Sequence, residues 1–341
     1  MSNYLITGGS GYFGSILCKS LLKRGNKVRI FDLNDSTDRD NSVEYIQGDI
    51  CDYKKVEQAC DGCDIIFHCV AQVPLAKSKK LFQSVNVGGT KNLLTAAKKV
   101  KTNKIIYVSS SAVYGIPCTN PVKEYHIPIP KEPYGKAKLE GEKLCLNETQ
   151  NGLDITIVRP RTILGHGRLG IFHILFNWIS EGYNIPVLGK GDNQYQFIHA
   201  EDLAEACILA AEQEGSNIYN CGATEFGSMR ETLESLCLHA NTGSKVKSLP
   251  QLPATMLMKV TSRLGLTPLG AYHSLMYGRS FHFDTTKLQD LSWTAKYSNT
   301  AMICESYDWF LKNSNQERKG KLSAHQKSLN EKYLWILKKF L

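Results

Sequence analysis

The chain has 341 residues, 42% of them hydrophobic and 21% charged, a balance that allows a full buried core and excludes a disordered or fibrous polymer. No uncharged apolar run reaches membrane-spanning length, and the opening MSNYLITGGSG lacks a basic segment followed by an apolar one, so a cytoplasmic protein is expected. The formal charge of +9 gathers at the end: from Lys312 to Leu341 eight Lys/Arg stand against two Glu, so the rest of the chain does not call for a nucleic-acid partner.

Over the first two hundred residues short β-branched apolar runs alternate with amphipathic stretches, the pattern of a parallel sheet with helices on both faces. The expected strands are YLIT, VRIFDL, VEYIQ, DIIFHCV, KIIYVSS and DITIVRP, with IYNCG following at Ile218 to Gly222. Helices are expected over Phe13 to Arg24, stopped by Gly25, then Val87 to Val100 and Tyr134 to Thr149. From Gly165 glycine, proline and short elements interleave, with helices near Ile171 to Ser180, Asp202 to Gln213, Met229 to His239 and Thr300 to Lys312. The expected division is a dinucleotide-binding domain over 1–165 with 200–222 returning to it, a smaller mixed α/β substrate lobe over 166–199 and 223–312, and a basic amphipathic tail over 313–341.

TGGSGYFG sets Gly8, Gly11 and Gly14 at three-residue spacing between the first strand and the first helix. Such glycines permit a tight turn, close approach of the backbone to a pyrophosphate, and close packing of helix on strand; the helix start then presents unpaired N–H groups to the phosphates. Asp32 ends the next strand, where a carboxylate accepts from a ribose 2′-hydroxyl and repels a 2′-phosphate, favouring NAD over NADP. Arg39, nearby, is the residue that would accept a 2′-phosphate instead. Asp49 in QGDI is either a contact for an adenine amino group or a turn residue, and His68 to Ala71 passes beside the cofactor, with His68 itself packed and backbone-bonded.

Tyr134 and Lys138 in YGKAK lie four residues apart on a helix and so share a face. A phenol is a weak base at neutral pH, but a neighbouring ammonium and a positive nicotinamide ring stabilise its anion, which suits proton removal from an alcohol as hydride leaves. KIIYVSS ends in SSSAVYG at the carboxyl edge of the sheet, where Ser110 is positioned to hydrogen-bond the alcohol, with Ser109 and Ser111 as alternatives. Asn86 in SVNVGGT either orders backbone or a water under the site or serves the helix start.

These segments, in this order, resemble the extended short-chain dehydrogenase/reductases of the NAD-dependent epimerase/dehydratase family: TGGSGYFG, FDL, GDI, HCVA, NVGGTKNLLTAA, VSSSAVYG, YGKAK, VRPRTILGHG, FIHAEDLA and FDTTKLQDLSW. The resemblance implies a Rossmann-type doubly wound parallel sheet of about seven strands and Ser110, Tyr134 and Lys138 as the catalytic triad. It implies a cofactor set of Gly8, Gly11, Tyr12, Phe13, Gly14, Asp32, Asp49, Ile50, Val70, Ala71, Asn86, Tyr134, Lys138 and Pro160. It also places Pro160 to Leu164 near the nicotinamide and Gly189 to His199 beside the substrate, with Ser110, Ser111, Arg161, Tyr195 and Arg279 as substrate contacts.

Two departures bear on the substrate. Ser111 and Ala112 follow Ser110 where dehydratases of the group carry an acidic pair, so elimination of water is not expected. Tyr195 and Gln196 stand where many sugar-nucleotide epimerases have Arg-Asp, leaving Arg161, Arg168 or Arg279 to contact a diphosphate or to be ordinary arginines. The leading expectation is an NAD-dependent epimerase of a nucleotide sugar, with Tyr134 as base at a ring hydroxyl, C4 by preference. The alternative resembles the 3β-hydroxysteroid dehydrogenases, with net redox at a secondary alcohol, towards which the apolar LPATMLMKVTSRLGLTPLG points; a small-lobe helix explains that segment equally.

The eleven cysteines are expected as reduced thiols; the C-x-x-C pair Cys60 and Cys63 lacks a second pair for zinc, and no metal is expected. The tail repeats Leu322, Leu329, Tyr333, Ile336 and Phe340 at near-helical spacing, consistent with docking on its own body or a dimer mate, weak contact with an anionic membrane face, or a loose end. The family resemblance also implies a homodimer.

Overall fold

In the computed structural model of the chain, residues 2–36, 38–73, 79–168, 171–263, 276–313 and Lys338 are described. The strands of the main sheet are β1 Asn3–Thr7, β2 Lys27–Asp32, β3 Glu44–Gln47, β4 Ile65–His68, β5 Lys104–Val108, β6 Ile155–Pro160 and, much later, β10 Ile218–Cys221. They form one seven-stranded sheet in the order β10-β6-β5-β4-β1-β2-β3, every pairing parallel. The expected Rossmann-type sheet is therefore present, with strand ends within two residues of expectation.

Consecutive strand residues point to opposite faces, and both faces are covered. Ile6, Ile30, Phe67, Ile106 and Val158 pack under α1 Tyr12–Lys23 and α6 Ala200–Ala211. Their neighbours Leu5, Phe31, Ile66, Ile105 and Ile157 pack under α2 Tyr53–Cys60, α3 Thr90–Val100 and α4 Pro133–Gln150. Continuous apolar runs in these strands, instead of alternation, follow from this two-sided burial.

Two local differences have physical causes. The helix expected from Val87 starts earlier, as a wide π-type turn over Phe82–Gly89 that leads into α3. Helix α2 lacks a long apolar stripe, but Asp52 accepts from the backbone N–H of Lys54 and Lys55 and caps it.

Beyond β6 the chain forms β7 Thr162–Leu164, α5 Phe172–Ser180, β8 Ile185–Leu188 and β9 Phe197–His199, then α7 Met229–Ala240, β11 Val246–Leu249, α8 Gln251–Arg263, the short α9 Thr286–Gln289 and α10 Asn299–Asn313. β7 pairs with β9 and β8 with β11. Phe176, Trp178, Val187, Leu233, Ile303 and Phe310 form a second core here. Asp202 on α6 fastens the return of the chain: its carboxylate accepts from the N–H groups of Lys296 and Tyr297, and its carbonyl from Trp293 Nε1 at 2.9 Å. That bond set physically joins FIHAEDLA to FDTTKLQDLSW.

Among the described residues no helix is long and apolar enough to cross a membrane. The expectations for the amphipathic tail fall outside the described residues except at Lys338, which pairs with Glu181 at 2.6 Å and lies over the Tyr183 ring. Residues 264–270 of the apolar segment also lie outside them.

Candidate functional site

The strand order reverses between β1 and β4, and at the carboxyl ends of these strands lies a cleft of about 530 Å³. One end is the glycine loop between β1 and α1. Gly8 has φ +74°, and a Cβ there would meet the Val70 backbone at 3.0 Å; a Cβ on Gly14 would stand 2.2 Å from Gly8 O. The loop thus packs backbone on backbone, and the first turn of α1 opens on the cleft without a side-chain cap. A pyrophosphate fits such donors.

Asp32, at the end of β2, accepts from Ser10 N at 3.1 Å and Asn34 N at 3.3 Å, and burial raises its pKa despite those bonds. It is positioned to accept from ribose hydroxyls. Arg39 is engaged elsewhere, paired with Asp35 at 2.8 Å and donating to Val43 O at 2.7 Å. Asp49 spends one carboxylate oxygen on Cys51 N in a turn and edges the cleft, as Ile50 does. Val70, Ala71 and Pro160 line it as well.

At the other end the three serines separate. Ser109 is buried and donates to Glu142 at 2.5 Å; Ser111 is buried and accepts from Arg161 Nη1 at 2.9 Å. All three line the cleft, but Ser110 is half-buried, and among the described residues its Oγ accepts from Ala112 N alone, at 3.2 Å. Glu132 caps α4 through the N–H groups of Tyr134 and Gly135, and Tyr134 in that first turn lines the cleft. Lys138, one turn later, is 1% exposed, donates to Val108 O at 2.7 Å and lies 4.2 Å over the Tyr107 ring. Desolvation lowers its ammonium to about 8, against the opposing pull of Glu142. Tyr134, Lys138 and Ser110 line one cleft with the glycine loop.

The model of the family described as "NAD dependent epimerase/dehydratase family" matches residues 4–222. The chain belongs to that family. It is an enzyme, as the family's members are. An uncharacterised protein of Sinorhizobium fredii is 49% identical over 98% of this chain and 85% of that protein. The human sterol-4-alpha-carboxylate 3-dehydrogenase, decarboxylating, is 31% identical over 61% of this chain and 57% of its own length. Among solved structures, the UDP-glucose 4-epimerase of Thermotoga maritima shares the fold with a TM-score of 0.77 at 22% identity, covering 92% of this chain and all of that one. The enzyme of the same name from Thermus thermophilus, complexed with NAD, gives 0.73 at 24% identity, over 91% and 99%.

The partners of several family-motif residues are now defined. Asn86 does not line the cleft: its amide closes on the backbone of Gln72, accepting from its N–H at 2.7 Å and donating to its carbonyl at 3.0 Å. It orders the backbone of the wall, one of the two roles its place in SVNVGGT suggested. Tyr195 is not a cleft residue either, because its ring lies beneath Arg161 and its hydroxyl meets Thr162 Oγ1 at 3.0 Å. Arg279 is exposed and is not among the residues lining the cleft. Gln196 is spent on Ala223 O and Phe283 N, bonds that hold backbone together. His68 sits between the hydroxyls of Thr7 and Thr90, not on backbone as expected, and burial lowers it to about 3, so it is neutral. Arg161 and Arg168 do line the cleft, Arg168 stacked over Tyr12 at 5.5 Å. Cys60 and Cys63 are buried thiols whose pKa burial raises.

Two groupings had no sequence signal. Arg159 grips Glu142 with a two-pronged ion pair, 2.9 and 2.6 Å, and donates to Tyr114 at 2.6 Å, all behind Ser109. His166, His199 and Glu305 bring three ligand-type atoms within 4.8 Å. His199 Nδ1 accepts from Glu201 N at 3.2 Å, which leaves the ring proton on Nε2, turned to Glu305 at 3.0 Å. A metal ion there would have to displace that proton, so the trio is better suited to sharing protons; Glu305 is held down to about 2 by its two histidines.

Proposed function

We propose that the cleft binds NAD and that the enzyme is an epimerase of a nucleotide sugar, transiently oxidising a ring hydroxyl, C4 by preference. The observation that carries this reading is the convergence of Ser110, Tyr134 and Lys138 on the cleft that also holds the glycine loop and Asp32. NAD in that position supplies hydride acceptance and return. The chain supplies the rest. Ser110 Oγ holds the hydroxyl, Tyr134 Oη takes its proton, and the Lys138 ammonium, pinned to Val108, lowers the cost of the phenolate. When the ketone is reduced on its other face the proton returns from Tyr134, and no net redox accumulates. Residues 1–165 with 200–222 are the dinucleotide-binding part in this reading, and 166–199 with 223–312 the substrate lobe.

One second reading has specific support. The human relative named above and a 3β-hydroxysteroid dehydrogenase/isomerase of Mycobacterium tuberculosis, 31% identical over 62% of this chain, are named for oxidation at a steroid or sterol. Leu252, Met256, Leu257 and Val260 of α8 are exposed, an apolar surface consistent with an apolar substrate. Purification separates the two. Retained NAD, with no steady rise of NADH absorbance on adding nucleotide sugars while the sugar is converted to its epimer, is the expected result. NADH formed in step with an added alcohol overturns the epimerase and leaves the dehydrogenase.

A further inference from the structure

Arg161 follows Pro160 at the end of β6 and is 1% exposed. Its Nη1 donates to Ser111 Oγ, but its Nε and Nη2 are buried with no hydrogen-bond partner among the described residues. Arg159, two residues earlier, shows the usual solution for a buried guanidinium, a carboxylate gripped at both prongs. Arg161 has rings instead: Phe281 at 3.9 Å, Tyr195 at 4.9 Å and Phe283 at 5.7 Å. Ring faces compensate part of the desolvation of a cation, yet they offer no acceptor in the guanidinium plane.

The two open donors are not scattered. Nε and Nη2 form one edge of the fork, spaced for the two oxygens of a single carboxylate. That edge belongs to a residue lining the cleft, and the fork's third donor is tied to Ser111, the neighbour of Ser110. A planar carboxylate continues the guanidinium plane between aromatic walls. A tetrahedral diphosphate, more strongly hydrated, would need further donors there.

We propose that the substrate is an acid, with a carboxylate beside the reacting alcohol held by Arg161. The proposal rests on the reading that Ser110, Tyr134 and Lys138 hold that alcohol. Arg161 then decides specificity, because a neutral analogue leaves a buried charge unpaired.

The test uses the full chain with NAD, titrated with UDP-glucuronate and UDP-glucose, which differ in the acid at one sugar carbon. The acid is expected to bind at least about tenfold tighter, about the difference one charged hydrogen-bond pair makes. Arg161→Met is expected to abolish the preference and Arg161→Lys to keep part of it. Equal affinities in the unmodified chain, or an undiminished preference in Arg161→Met, overturn the proposal. If neither UDP sugar binds, the nucleotide-sugar reading fails by itself, and thermal unfolding then decides about the acid. Acetate and formate are expected to raise the unfolding midpoint above chloride at equal ionic strength, and to lose that effect in Arg161→Met. A response equal to that of chloride overturns it.

Discussion

Lys138 Nζ donates to Val108 O at 2.7 Å, which pins the cation of α4 to the last residue of β5, the strand that runs on into the serines. Burial there lowers the ammonium from the ordinary 10.5 to about 8. The charge that supports the Tyr134 phenolate is thus lost just above neutrality, and kcat/KM is expected to fall on the alkaline side with an apparent pKa near 8. Arg at this position keeps its charge, so Lys138→Arg is expected to be slower but to lack that alkaline limb. Steady-state rates across neutral to alkaline pH check both. The stability effect has the opposite sense: between about 8 and 10.5 the unfolded chain binds more protons than the folded one, so this group's contribution to stability rises with pH in that window.

Tyr134→Phe removes the hydroxyl and leaves the ring that meets Phe82 edge-on at 6.1 Å. Turnover is expected to drop about 10²–10⁴-fold, the usual worth of a positioned acid–base group, with NAD retained on purification. Full turnover by the variant with the true substrate would contradict the assignment.

Asp32 accepts from Ser10 N of the glycine loop and lines the cleft, and in the proposed reading it also takes the ribose hydroxyls. Asp32→Ser is expected to weaken NAD about tenfold or more, the worth of hydrogen bonds to a charged acceptor, and to improve NADP by removing repulsion. Parallel titrations with the two nucleotides measure it; an unchanged ratio speaks against the ribose role.

Gly14→Ala sets a Cβ at 2.2 Å from Gly8 O, backbone that has nowhere to move without opening the loop. Loss of NAD retention and a lower melting temperature are expected. Gly88→Ala, where the nearest atom is 3.6 Å away, is the control and should behave like the unmodified chain.

Glu142 and Arg159 form a buried pair at 2.6 Å behind the serine wall. Glu142→Leu leaves the guanidinium uncompensated and is expected to cost about 3–5 kcal/mol in urea unfolding, whereas replacing both partners with apolar residues costs far less. Equal losses in the single and double variants would refute that account.

Much of the fold was legible because it is local. Strand residues such as Ile105 and Ile106 announce two-sided burial by being apolar in succession, and Gly8, Gly11 and Gly14 announce a loop whose backbone must come close to something. Helix α2 was not legible, since its start depends on one capping Asp52 and its apolar face is only Val56, Ala59 and Cys60. The site divides in the same way. Tyr134 and Lys138 are tied by helical spacing, and Asp32 by its place at a strand end, so each was open to inference before any contact was known.

The sequence by itself determined the parallel sheet, the glycine loop and the family, because periodicity, spacing and motif order are properties of neighbours along the chain. Only the tertiary structure decided that Ser109 and Ser111 spend their hydroxyls on Glu142 and Arg161, that Asn86 is spent on Gln72, and that Tyr195 lies under Arg161 and not in the cleft. These depend on side-chain direction and on partners from 14 to 50 residues away. No local pattern encodes such a pairing, because its energy exists only once both segments have packed against the same sheet.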